Sequence, residues 1–304
     1  MVFLGDLTLR DVPRVLSIAG TDPTGGAGIQ ADLKSIAALG GYGMAVITSL
    51  VAQNTRGVRS VHTPPTKFLE EQLDAVSDDV TIDAVKIGML GDVATITVVR
   101  EWLSRVRPPL VVLDPVMVAT SGDRLLAADA ETALRDLVSQ AHLVTPNLSE
   151  LAVLVDEPIT AEWPTALDQA RKLSLAAGTV VLVKGGHLDT EGSPDALVDT
   201  SKQLGSAHDR EVIEDGEIFE IITPRVDTRN SHGTGCSLSS GIATVMARTG
   251  DWTRALSETK NWLQDALTHA DELQVGQGNG PVNHFHQLWA AAETQPSRHD
   301  SRMD

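Results

Sequence analysis

The strongest constraint on this chain is a repeated alternation. Short apolar runs rich in β-branched residues and bounded by Gly, Pro, Asp or Asn recur at Arg14–Ala19, Met44–Leu50, Ala84–Ile87, Leu110–Leu113, His142–Val144 and Thr179–Val183. Between them lie segments of helical period, near Ile29–Leu39, Thr66–Ser77, Ala94–Val106, Ala130–Ser139 and Thr165–Ala177. Runs of that length without polar alternation read as strands buried on both faces. Strand and helix in strict succession predict right-handed βαβ units, hence an α/β fold with a mostly parallel central sheet and helices on both faces. Two further helices, Thr234–Arg248 and Asp251–Leu273, are predicted after an Asp195–Ile222 stretch that reads as antiparallel edge strands. The polar, acidic Ser201–Glu217 reads as an exposed hairpin or loop.

No repeat or linker divides the chain, so one domain is expected over residues 14–290, after an N-terminal extension of residues 1–13 and before a polar tail, 291–304, expected to be disordered. A formal net charge of −17 excludes a nucleic-acid or acidic-membrane partner, because both need a basic face. No apolar run reaches the roughly 18 residues of a membrane span, and Met1–Arg14 lacks the basic start of a signal peptide, so a cytoplasmic location is expected. The single cysteine, Cys236, leaves no internal disulfide and no multi-cysteine metal site.

In an open parallel sheet, ligands bind outside the carboxyl ends of the strands. The polar residues there are Gly20-Thr21-Asp22, Gln53-Asn54, Gly88-Met89, Asp114, Asn147 with Glu150, and Lys184-Gly185-Gly186. The Gly20–Gly28 cluster either cradles phosphate or makes a tight turn. It is not a Walker A loop, since Gly26-Ala27 stands where Lys and Ser or Thr are needed, and it is not a dinucleotide fingerprint, since no acid lies between Asp32 and Glu70. Asp114 reads either as a carboxylate for a Mg²⁺ and water network against phosphates or as a turn cap. Asn147 and Glu150 also have the spacing of a helix capping box. His232-Gly233-Thr234-Gly235-Cys236 opens a helix of small residues, either an anion hole for a transferred phosphoryl group or a glycine-rich helix start with a buried thiol.

Ala19–Asp32, Val51–Gly57, Lys86–Leu90, Val183–His187 and His232–Cys236 together resemble, in order, the motifs of bacterial hydroxymethylpyrimidine/phosphomethylpyrimidine kinases, over about Arg14 to Trp289. That family is ribokinase-like. The resemblance implies a three-layer αβα fold, a homodimer, ATP and Mg²⁺ as cofactors, and two successive phosphorylations of a small-molecule pyrimidine in thiamine synthesis. The nearest alternative is a pyridoxal or pyridoxine kinase. Carried onto these positions, Gly20, Asp32, Gln53, Met89 and Val116 are expected to bind the pyrimidine, and Asn147, Lys184 and Thr234 the ATP. Asp114 and Glu150 are expected on the Mg²⁺ network, through water. Cys236, Gly233, Gly235 and Lys184 are expected to be catalytic. Cys236 stands where sugar kinases of the superfamily carry an aspartate base, and a thiol at a helix N-terminus can have its pKa lowered enough to serve. The expectation is a protonation switch: thiolate for the alcohol acceptor, thiol for the monophosphate.

Overall fold

A computed structural model describes residues 7–293 apart from 119–121, 123–124, 187, 189, 202–203, 205–210 and 214–215. Its elements run β1 (Arg14–Ala19), α1 (Gly28–Ala38), β2 (Tyr42–Ile47), β3 (Leu50–Asn54), β4 (Gly57–His62), α2 (Thr66–Ser77), β5 (Ala84–Ile87) and α3 (Val93–Val106). Then come β6 (Val111–Leu113), α4 (Glu131–Val138), β7 (Leu143–Val144), α5 (Leu148–Val155), α6 (Trp163–Ala177), β8 (Val180–Lys184), β9 (Gly192–Asp199), β10 (Glu211–Ile213) and β11 (Gly216–Pro224). Helices α7 (Thr234–Thr249), α8 (Trp252–Thr268) and α9 (His286–Glu293) close the described chain.

Among the described residues, nine strands make one sheet in the order β10-β11-β9-β8-β7-β6-β5-β1-β2. The six from β2 to β8 are parallel, and β9, β11 and β10 extend the sheet antiparallel. Order reverses between β1 and β5, where a ligand crevice is expected. Alternate strand residues serve opposite faces: Leu16, Ile18, Val85, Ile87 and Leu113 pack with α2 to α6, while Val15, Ala84, Val112 and Leu143 pack with α1, α7 and α8. That is the sheet covered by helices on both faces expected from the alternation, and the three-layer ribokinase-like architecture that the resemblance implied.

Three differences from the expected elements appear. The expected strand Met44–Leu50 is broken after Ile47: Thr48 Oγ1 donates to the Met89 carbonyl and the Ser49 carbonyl accepts from Thr21 N, so the chain turns into a separate antiparallel β3–β4 ribbon. The expected Asp251–Leu273 helix stops at Thr268, and a 3₁₀ turn, Ala270–Leu273, follows. Helix α5 grows from the Asn147–Glu150 capping box. Residues 7–13 have no regular structure, yet Arg10 and Arg14 both pair with Asp83 and Leu7 packs on the α1–α7–α8 core. Most of the acidic stretch and residues 294–304 lie outside the described residues. Among the described residues no helix is long and apolar enough to cross a membrane.

Candidate active site

A cavity of about 270 Å³ lies along the carboxyl ends of the parallel strands. One half is built by the β1–α1 loop, β3 and the residues after β5 and β6: Gly20, Gly28, Gln53, Met89 and Val116 line it. The other half is built after β7 and β8 and at the start of β9, and Asn147, Glu150, Lys184, Ser193 and Asp195 line it. The α7 N-terminus enters between them with Gly233, Thr234, Gly235 and Cys236.

Gly233 has φ 83° and precedes the first helical residue. A Cβ there would stand 1.8 Å from the Gly26 carbonyl oxygen, so the two glycine loops touch backbone to backbone. Thr234 N donates to the Ser231 carbonyl and Ser237 N to the Gly233 carbonyl. The Gly235 and Cys236 N–H groups are left as first-turn donors without intrahelical acceptors, which with the helix dipole favours an anion.

Asp114, at the end of β6, is buried and its Oδ1 accepts from Thr145 Oγ1 and Lys184 Nζ, each at 3.0 Å. Burial works against its charge, but Lys184 and Lys86 hold its carboxyl below the usual range. The Lys184 ammonium and Asp114 Oδ2 both lie against Gly235, where a Cβ would meet them at 3.5 and 3.7 Å. A glycine here therefore lets a lysine–carboxylate pair sit directly against the anion hole. Glu150 reaches back to Asn147 N while Asn147 Oδ1 accepts from Glu150 N, so the capping box also presents a carboxyl to the cavity. Burial pushes that carboxyl up to about 7, against Lys184 and with Asp114. Among the described residues no three His, Cys, Asp or Glu side chains converge as a metal cage. Two carboxyls beside a phosphate hole fit Mg²⁺, which keeps most of its waters and takes its remaining ligands from phosphate.

Two expectations are corrected. Asp32 does not line the cavity. It is fully buried on the inward face of α1, where Oδ1 accepts from Lys86 Nζ and Ser240 Oγ, each at 2.7 Å, and Oδ2 from Ser17 Oγ at 2.5 Å. Its oxygens are committed to those partners, so it supports the site from behind instead of reading the pyrimidine. The Cys236 thiol is not activated: burial pushes it up to about 11, Lys86 pulls the other way, and Asp32 and Asp114 add to the rise, outweighing the Gly28 N–H that favours the thiolate. Burial thus favours the thiol form, against the thiolate half of the expected switch.

The residue missed by sequence reasoning is Lys86. It stands in an otherwise apolar strand, directly across the ladder from Ser17, and its ammonium is fully buried at the cavity floor. Burial opposes the charge, but the Asp32 and Asp114 carboxylates keep it protonated. A lysine inside a buried β-branched run was itself the available signal.

The phosphomethylpyrimidine kinase family model matches residues 22–283. The chain belongs to the phosphomethylpyrimidine kinase family. It is 48% identical over 275 residues to a hydroxymethylpyrimidine/phosphomethylpyrimidine kinase of Escherichia coli, covering 90% of this chain and 98% of that protein. It is 54% identical over 291 residues to a thiamine biosynthesis multifunctional protein of Corynebacterium glutamicum, covering 94% of this chain but 36% of that one, so it spans about a third of such a relative. Among solved family structures, the phosphomethylpyrimidine kinase of Clostridium difficile aligns with TM-score 0.69 at 34% identity, over 84% of this chain and 99% of that one. An ADP complex of Bacillus subtilis pyridoxal kinase aligns with TM-score 0.79 at 29% identity, over 91% and 99%. The fold is thus common to both vitamin kinases, and the sequence lies nearer the pyrimidine kinases.

Proposed function

We propose that this member of the phosphomethylpyrimidine kinase family transfers the γ-phosphoryl group of ATP first to the hydroxyl of 4-amino-5-hydroxymethyl-2-methylpyrimidine and then to the resulting monophosphate, in thiamine synthesis. The observation that carries the reading is one cavity with the α7 N-terminus at its middle, Gln53 and Met89 on one side, and the Asp114–Lys184 pair with Asn147 on the other. Acceptor and donor can then meet in line at the Gly235 and Cys236 N–H groups.

In the pyrimidine half, Gln53 supplies an amide donor and acceptor for the ring edge, Met89 packs on its face, and Gly20 and Val116 shape the wall. In the ATP half, Lys184 tracks phosphate as a point charge, and Asn147 and Thr234 hold the nucleotide. Asp114 and Glu150 would hold Mg²⁺ through water, and the ion when bound supplies charge neutralisation on the phosphates. As the acceptor oxygen bonds to the γ-phosphorus, the bond to the β–γ bridging oxygen breaks and ADP leaves, and in the first step the acceptor's hydroxyl proton is released to water. The Gly235 and Cys236 N–H donors and Lys184 stabilise the charge on the transferring group. Such transition states are loose, so an alcohol acceptor does not require a strong base, consistent with a protonated Cys236. A homodimer and a cytoplasmic location belong to the same proposal, and light scattering of the purified chain tests the former.

The test is a steady-state comparison of hydroxymethylpyrimidine, its monophosphate and pyridoxal with MgATP, together with Gln53→Leu. Formation of monophosphate and then diphosphate, with kcat/KM for the pyrimidine lost in the variant while ATP still binds, is expected. Turnover of pyridoxal alone would give the other reading, and an unchanged kcat/KM in the variant would remove Gln53 from the pocket.

A further inference from the structure

We propose that Asp22 and His232 form the subsite for the acceptor's own phosphate, the group that distinguishes the second phosphorylation from the first. The inference rests on the two-step kinase reading. The first acceptor is a neutral alcohol, whereas a phosphomonoester carries close to two negative charges above its second pKa of about 6. The site must accept both beside the phosphates of ATP. Among the described residues, the lysines that line the cavity already have carboxylate partners: Lys86 with Asp32, Lys184 with Asp114 and Lys260 with Asp195. A group able to add a charge only when the second acceptor arrives is what the pair of substrates requires. Imidazole is the side chain that does this near neutral pH.

His232 lines the cavity on the Gly20 side, one residue before the anion hole. Its Nε2 lies 2.9 Å from Asp22 Oδ2. Asp22 is fully buried and accepts from Thr24 N at 2.9 Å, Thr24 Oγ1 at 2.7 Å, Gly26 N at 3.0 Å and Ala27 N at 2.8 Å. Gln53 also bears on this carboxylate. Burial opposes its charge, yet His232, Thr24 and Gln53 hold it ionised well below the usual range. An ionised acceptor at Nε2 fixes the ring proton there. Nδ1 has no partner among the described residues and is the nitrogen left for a ligand. When neutral it accepts from the substrate hydroxyl, and when protonated it donates to a phosphate oxygen. The ring is set rigidly, because a Cβ on Gly26 would meet His232 Cδ2 at 2.7 Å. The titratable groups on the elements packed around it are Asp22 and Lys34 from the β1–α1 region, Cys236 on α7, and His284 beyond Pro281.

Both half-reactions are measured separately, with alcohol and monophosphate as acceptors, for the wild type and His232→Gln. The ratio of kcat/KM for the second step to that for the first should fall by on the order of 10- to 100-fold in the variant, the worth of a charge-assisted hydrogen bond. An unchanged ratio overturns the proposal. Independently of any variant, calorimetric titration of the wild type at pH 8 in two buffers of different ionisation enthalpy should show proton uptake with the monophosphate and none with the alcohol. Equal uptake for the two overturns it as well. A wild type that does not phosphorylate the monophosphate at all would instead refute the two-step reading on which the subsite rests.

Discussion

Replacing Lys86 with methionine keeps a long apolar stem in β5 but deletes a fully buried ammonium. Asp32 is then left as a buried carboxylate whose remaining partners are the Ser17 and Ser240 hydroxyls. Removing one member of a buried ion pair costs about 3–5 kcal/mol, because the survivor's charge is uncompensated. That is a large fraction of the roughly 5–15 kcal/mol that separates folded from unfolded domains. With an unfolding entropy of about 2.1 cal/mol/K per residue over 304 residues, the loss corresponds to a fall in Tm of roughly 5–8 °C. Differential scanning calorimetry of Lys86→Met measures it directly. The double variant Lys86→Met/Asp32→Asn removes both charges while leaving an amide for the serines, and it should recover most of the loss, giving a coupling of about 2 kcal/mol or more. A Lys86→Met protein within about 1 kcal/mol of wild type, or a double variant no better than the sum of the singles, would refute the assignment of this pair as a mutually dependent buried support.

Gly233→Ala forces a Cβ into the Gly26 carbonyl at a φ of 83°, so loss of activity by about 100-fold or more is expected together with a lower Tm, and retention of kcat would show that the loops can part. With its thiol at about 11, Cys236 should alkylate with iodoacetamide slowly at pH 8, with a rate that keeps rising toward pH 11, and a plateau near neutral pH would restore the thiolate base. Cys236→Ser should accordingly lose about tenfold or less in kcat, where loss of a standing general base would remove 10²–10⁴. His284, bonded to Ser237 Oγ, is pushed down to about 3 by burial and by Lys34. Its unfolded counterpart titrates near 6.5, so below that pH the unfolded chain takes up a proton the folded one refuses. His284 alone should lower stability by about 2 kcal/mol between pH 7 and 5, while Glu150, raised to about 7, works in the opposite sense. The check is therefore the difference between wild type and His284→Gln in urea titrations, which should change by about 2 kcal/mol between the two pH values.

The alternation of apolar runs and helical segments made the sheet, its helical layers and the cavity edge legible, because strands buried on both faces announce themselves in composition. What escaped was set by contacts distant in sequence. The break between β2 and β3 depends on Thr48 bonding to Met89 and Thr21 to Ser49, which no local period encodes. Asp32 was legible in retrospect. Ile29, Asp32, Ser35 and Ile36 share the buried face of α1, a spacing that points the carboxylate at the sheet and not at a ligand. The Asn147–Glu150 pair had two readings, a cap and a place on the cavity wall, and the structure holds both at once. The Asp22–His232 contact joins residues 210 apart and left no trace in either motif taken alone.

The backbone contact between Gly26 and Gly233 has a consequence for engineering. The β1–α1 loop and the segment entering α7 form a single interlocked part, although about two thirds of the chain separates them. Acceptor preference is therefore not portable as a loop. A segment transplanted from another kinase that carried any side chain at position 26 would strike His232 and Pro281, with a Cβ at 2.7 and 3.1 Å, and would displace the anion hole along with the pocket it was meant to reshape. Exchanging specificity on this scaffold calls for moving both glycine segments together.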